Sequence, residues 1–256
     1  MPFDGLRAAA AVDSVTGMAR VALFDPCYFS ALRPEDAGRA RHVLEALGEQ
    51  VTLVDGRCCG QPAFNSGFRD EARSAGRELL RAVQDFDVVV AASGSCVSMV
   101  SHYLPGLFEG RKAAGARRIG GRFHEFAAYV ASHPMLDSLA LKLDGVVAYH
   151  DACHFRRELG LTPLALDLLG RVKGLEVRRL TFEDECCGFG GAFSVKLPEV
   201  SDAILEAKLA DIAATGARAL VSTDLSCLAH IEAGARAAGT PLAIWTLPEL
   251  LSRALG

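Results

Sequence analysis

The sequence predicts an α/β protein of two pseudo-symmetric parallel-sheet halves, each with a Cys-Cys-Gly motif. Three observations lead there. Cys27, Cys58, Cys59 and Cys96 recur as Cys153, Cys186, Cys187 and Cys227 at an offset that stays between 126 and 131 residues, the mark of an internal repeat. Short Val-rich apolar runs alternate with long helical patterns, which argues for parallel βα units. Each cysteine group sits past one of those runs, where the strand ends of such sheets form the functional rim.

Taken in order, residues 1–18 are Ala-rich and patternless. They are expected to be a disordered tail or an over-called start, since Met18 directly precedes the first strand-like run, Ala19–Asp25. That run leads to Cys27. A helical pattern over Pro34–Leu47 follows, then a strand over Gln50–Val54 that reaches Cys58-Cys59-Gly60 through Gly56. A helix over Arg69–Gln84 and the buried-type strand Val88-Val89-Val90 lead to Ser95-Cys96. The first repeat spans 19–131 and the second 145–256. In the second, Val146–His150 leads to Cys153, Cys186-Cys187-Gly188 sits in a Gly-rich loop, Pro198–Thr215 is helical, and Ala219-Leu220-Val221 leads to Ser226-Cys227. The copies are expected to close alike, His124-Glu125-Phe126 matching Leu247-Pro248-Glu249-Leu250 with Glu125 against Glu249. Pro134–Asp144 joins them without any special linker composition, so the halves are expected to pack as one body.

Composition narrows the function. The 256 residues are half hydrophobic, and 27 basic against 31 acidic residues leave a net charge of −4 with no basic run. Nucleic-acid binding needs a concentrated basic face and is not expected. Apolar stretches such as Val88–Ala92 fall far short of the ~20 residues of a membrane span. Met1–Val15 lacks the basic start and apolar core of a secretory signal. A cytoplasmic location follows as the expectation, and there structural disulfides are rare.

Eight thiols then need another use. A converging quartet can hold zinc, hold an iron–sulfur cluster, or cycle between dithiol and disulfide. Zinc knuckles and redox C-x-x-C are both absent. Adjacent cysteines diverge too much to suit one metal ion and fit a larger multi-metal object better. Gly60, Gly188, Gly190 and Gly191 let the backbone approach such a group. An iron–sulfur cluster is favoured, with zinc and plain thiol chemistry as the weaker alternatives. The ferredoxin cysteine run and a G-x-G-x-x-G turn are also missing, so electrons are expected to pass to a partner subunit.

The two frames resemble the cysteine-rich CCG domain present twice in the cysteine-rich subunit of heterodisulfide reductase, in the glycolate oxidase iron–sulfur subunit and, above all, in the lactate utilization protein A family. The resemblance is carried by Cys58-Cys59-Gly60-Gln61-Pro62-Ala63-Phe64-Asn65-Ser66-Gly67, Ser93-Gly94-Ser95-Cys96, His150-Asp151-Ala152-Cys153-His154 and Cys186-Cys187-Gly188-Phe189-Gly190-Gly191-Ala192-Phe193. It implies two cluster-binding half-sites, Cys27/Cys58/Cys59/Cys96 and Cys153/Cys186/Cys187/Cys227, with [4Fe–4S] as the expected cluster type. It also implies a three-subunit system that oxidises L-lactate to pyruvate, in which a ferredoxin-domain iron–sulfur subunit and a third subunit are the partners. One departure matters. The heterodisulfide reductase relative has a further cysteine three residues after the last one of a copy, and Met99 and His230 stand there in this chain. A vacant iron or a site completed by His230 are both open.

Candidates for chemistry cluster in the second copy. His150 and His154 flank Asp151 and Cys153, and an imidazole is the natural proton acceptor for a small 2-hydroxy acid at neutral pH. Hydrogen bonding of the strand end is the competing role for His150 and Asp151. Arg157, with Arg156, can fork a substrate carboxylate or serve as a helix-surface charge. The first copy offers Asp25-Pro26-Cys27-Tyr28 instead, which makes the second copy the better site for chemistry and the first the better relay.

Overall fold

The computed structural model describes residues 19–240 and 242–256, and the tail expected over residues 1–18 lies outside them. The first half runs β1 (Val21–Pro26), α1 (Cys27–Leu32), α2 (Glu35–Ala46), β2 (Val51–Arg57), α3 (Gln61–Asn65), α4 (Arg69–Val83), β3 (Val88–Ala91), α5 (Gly94–Ser98), α6 (Gly110–Gly120), β4 (Phe123–Glu125) and α7 (Phe126–Ala131). The second runs β5 (Lys142–His150), α8 (Thr162–Gly170), β6 (Lys173–Arg179), α9 (Ala192–Lys196), α10 (Pro198–Ala214), β7 (Ala219–Ser222), α11 (Leu225–Ala237), β8 (Ala243–Thr246) and α12 (Leu247–Leu255). β5 begins three residues before position 145, where the sequence pattern sets the second repeat.

The two sheets have one topology. Their orders are β2-β1-β3-β4 and β6-β5-β7-β8, every pairing parallel. Strands buried on both faces explain the unbroken apolar runs of the sequence. Along β1, Val21 and Leu23 enter a core that both halves share, while Ala22 and Phe24 turn to a second core with Leu79, Leu80 and Val83 of α4. The last helix of each copy crosses to the other copy: α7 packs on α8, and α12 on α2. Thr246 Oγ1 donates to Asp36 Oδ2 at 2.7 Å across the second of these contacts, where Arg39 and Arg33 also pair with Glu249 at 3.4 and 3.5 Å. This exchange makes the halves one body.

Register corrects one expectation. Ala91 pairs with Glu125 and Ser222 with Thr246, so Glu125 corresponds to Thr246 and not to Glu249. The sequence match failed because both residues cap the final helix with different chemistry. Glu125 accepts from Ala127 N–H (2.7 Å) and Ala128 N–H (3.3 Å), and Thr246 accepts from Glu249 N–H (3.2 Å). Burial lifts the Glu125 carboxyl to about 8. The folded chain therefore keeps that proton up to about pH 8, while an unfolded chain releases it near 4.5. The associated stability is present at low pH and is lost as pH rises through 8, at about 1.4 kcal/mol per pH unit in between. Glu125→Gln is expected to flatten the fall in stability between pH 6 and 8, measured by denaturant unfolding beside the parent chain.

Candidate metal centre

Each quartet assembles at the C-terminal rim of its sheet. Cys27 opens α1 directly after β1, Cys58-Cys59 follow β2, and Cys96 lies in α5. Cys153 follows β5, Cys186-Cys187 follow the loop after β6, and Cys227 lies in α11. Short helices hold the last cysteine of each set. Ser93 caps α5 and accepts from Cys96 N–H at 3.3 Å, and Asp224 caps α11 and accepts from Ser226 N–H at 3.2 Å, the roles their short polar side chains suit. The loop before Cys186 is pinned from below: Asp211 accepts Thr181 and Phe182 N–H, both at 2.9 Å, and Lys208 donates to Phe182 O at 2.8 Å.

The thiols of each set form a hydrogen-bonded chain, Cys27–Cys58–Cys59–Cys96 and Cys153–Cys186–Cys187–Cys227. Cys58 receives from Cys27 and Cys59, and from Gly60 N–H at 3.4 Å, which together lower it to about 2. Cys186 is lowered likewise to about 2 by Cys153, Cys187 and Gly188 N–H at 3.3 Å. Cys27, Cys59, Cys153 and Cys187 are pushed well up, first by their bonds to the ionised neighbour and then by burial. Four crowded thiols, two of them buried and two half-buried, cannot all ionise unless a cation joins them. This donor set, with backbone N–H groups aimed at sulfur, fits a metal or iron–sulfur centre.

Both quartets open on one cavity of about 340 Å³ between the halves. Cys27, Cys59 and Cys96 line it from one side, and Cys153, Cys186, Cys187 and Cys227 from the other. Contacts across it are related by the pseudo-twofold. His154 Nε2 lies 3.1 Å from Gln61 Nε2, and in the mirrored place Tyr28 meets Phe189 edge-on, with centroids 5.7 Å apart. Asp224 Oδ2 accepts from Ser95 N–H at 3.1 Å, tying one cap to the other half's last cysteine helix.

The sequence-derived candidates part company here. His154 lines the cavity, with Nδ1 3.6 Å from Cys153 Sγ and Nε2 3.8 Å from Glu158. His150 lies beneath the sulfurs, buried, and burial with the nearby Lys208 charge lowers it to about 4, leaving the ring neutral. Asp151 accepts from Thr162 at 2.7 Å and fixes the strand end. Arg157 is not among the cavity-lining residues. Its guanidinium donates to Asp184 O at 2.6 Å, where it steadies the loop before Cys186. Met99 is fully buried in the core of the first half. His230 Nε2 faces Ser201 Oγ at 3.3 Å, and its ring stands on Phe189. Sequence reasoning missed Gln61 and Asp224. The signal for Asp224 was legible: it fills the helix-cap place that Ser93 holds in the first copy.

Two thiol quartets facing one cavity, on a sheet topology used twice, define a duplicated cysteine-rich protein. The chain belongs to the cysteine-rich CCG domain family, which matches residues 21–101 and 147–232, and within it to the lactate utilization protein A family. It is 36% identical over 236 residues to Lactate utilization protein A of Macrococcus caseolyticus (strain JCSC5402), covering 91% of this chain and 96% of that protein. Lactate utilization protein A 2 of Bacillus cereus (strain Q1) is 31% identical over 239 residues, covering 92% and 99%. Among solved structures, the glutamate racemase of Francisella tularensis subsp. tularensis SCHU S4 is 13% identical over 92% of this chain and 78% of that chain. Its TM-score of 0.36 is too low to bear on function.

Proposed function

We propose that this chain is the iron–sulfur oxidoreductase subunit of a complex that oxidises L-lactate to pyruvate, with Cys27/Cys58/Cys59/Cys96 and Cys153/Cys186/Cys187/Cys227 as its two cluster sites. The observation that carries the reading is the single cavity onto which both quartets open. An iron–sulfur cluster held by each quartet would supply one-electron transfer. The chain's own residues bind and position the substrate. The cavity admits a molecule the size of a 2-hydroxy acid. Gln61 offers it a neutral amide, and His154 accepts a proton on a ring held between Gln61 and Glu158. Oxidation of lactate releases two electrons and two protons. The protons leave through this rim, and the electrons go to a ferredoxin-domain partner, with a third subunit completing the complex. Among the described residues no helix is long and apolar enough to cross a membrane, in keeping with a complex that needs no span in this subunit.

The test is anaerobic purification and reconstitution with iron and sulfide. A brown protein with iron and acid-labile sulfide in both sites is expected, and with its partners it reduces an artificial acceptor when given L-lactate. A colourless protein that takes up only stoichiometric zinc sinks the reading. Faster turnover of glycolate than of lactate moves the substrate to the neighbouring hydroxy acid.

A further inference from the structure

His150 closes β5 directly beneath the second quartet. Its side chain is 1% exposed, and neither Nδ1 nor Nε2 has a hydrogen-bond partner. A neutral imidazole carries one donor and one acceptor, and leaving a buried group of this kind unpaired is costly. A ring nitrogen of His150 and the sulfurs of Cys187 and Cys227 all lie within 4.8 Å of one another. Among the described residues the first half has no such nitrogen. Phe24 pairs with Ala91 as His150 pairs with Ser222, so Phe24 is the counterpart of His150. Phe24 is buried edge-on against Phe123, with centroids 6.3 Å apart. One copy thus fills the position with an apolar ring at no polar cost, and the other with an imidazole that brings one nitrogen near two sulfurs. The two residues standing where the relative's extra cysteine would be are engaged elsewhere, Met99 in the core and His230 on Ser201.

We infer that His150 is the fifth ligand of the second site and coordinates iron through a ring nitrogen, so that the two sites are unlike: four cysteines in the first, four cysteines and one histidine in the second. The inference rests on the reading that the second quartet holds an iron–sulfur cluster. Neutral imidazole is a ready metal ligand. Coordination gives one orphaned nitrogen a partner, which is the physical reason for a histidine in a place that otherwise suits phenylalanine.

The test uses the full chain, reconstituted anaerobically and reduced, grown once with ordinary and once with ¹⁵N-labelled histidine. Pulsed paramagnetic resonance is expected to find a strong nitrogen coupling that changes with the isotope. It disappears in His150→Phe while the iron and sulfide of the first site persist, and it survives in His154→Gln and His230→Gln. A cluster signal without strong histidine coupling, or a coupling that survives in His150→Phe, overturns the inference. Should His150→Phe fail to fold, the isotope comparison in the other two variants still decides, because each removes a neighbouring histidine and spares His150. A wild-type chain without iron and sulfide overturns the cluster reading itself, and this is seen in the metal analysis before any resonance measurement.

Discussion

Cys187→Ser removes the second cluster and leaves the first, so that bound iron and sulfide fall to about half. Cys59→Ser does the converse, and the double variant is colourless. The expectation follows from the thiol chains. Every sulfur that bonds or repels Cys59 belongs to the first quartet, and every one that acts on Cys187 belongs to the second. Both residues are 2% exposed and each stands between two other cysteines, so each loss takes a central sulfur out of its quartet. Serine keeps the volume but not the thiolate, which is the species that binds metal. Cys59 and Cys187 each belong to a buried core, so circular dichroism beside the parent chain checks that the variants fold. Iron and sulfide analysis with visible absorption measures the outcome. Loss of all iron in one single variant would mean one shared cluster, and full iron in both would mean the thiols are not the ligands.

Gly60→Ala and Gly188→Ala are each expected to cost roughly 3 kcal/mol, by the combined penalties for a left-handed backbone and for overpacking. Gly60 has φ +87° and Gly188 φ +90°. A Cβ on Gly60 would stand 2.7 Å from the Ala72 carbonyl oxygen, and one on Gly188 2.7 Å from that of Ser201. These are backbone atoms of α4 and α10, which cannot swing aside as a side-chain tip can. The same glycines donate N–H to Cys58 and Cys186, so the damage reaches the sulfurs. Gly67 is the control. It has φ +88°, but a Cβ there meets nothing within 4 Å, and Gly67→Ala should cost only the left-handed penalty of about 1–2 kcal/mol. Denaturant unfolding of the three variants measures the difference. An equal cost at Gly188 and Gly67 would show that close approach is not what the third letter of Cys-Cys-Gly requires.

The difference between the halves bears on the division of labour. Pseudo-symmetric positions hold Tyr28 and His154, Gln61 and Phe189, Phe24 and His150. In two of the three pairs the second half holds an imidazole, able to move a proton or bind a metal, while the first half offers a phenol, an amide and a benzene ring. The amide of Gln61 reaches across to His154, and the Tyr28 ring across to Phe189. Chemistry in the second half and relay in the first is the arrangement these side chains favour.

The repeat, the parallel α/β class and the membership of each quartet were all legible in the sequence. Cysteine spacing is a one-dimensional fact, and Val-rich runs buried on both faces leave a linear trace. The exchange of α7 and α12 between halves left none, because an amphipathic helix does not encode which of two similar sheets it covers. The matching of Glu125 with Glu249 failed for a related reason: register is set by strand pairing, and identical letters near a helix start outvoted it. What Arg157 and His150 touch was likewise set in three dimensions. An arginine one turn from a cysteine can point to a cavity or to a carbonyl, and only the packed loop aims it at Asp184. A histidine at a strand end can bond its own loop or face sulfur. Burial without a partner at either nitrogen is a property of the space around the ring, and the sequence by itself determines the ring but not that space.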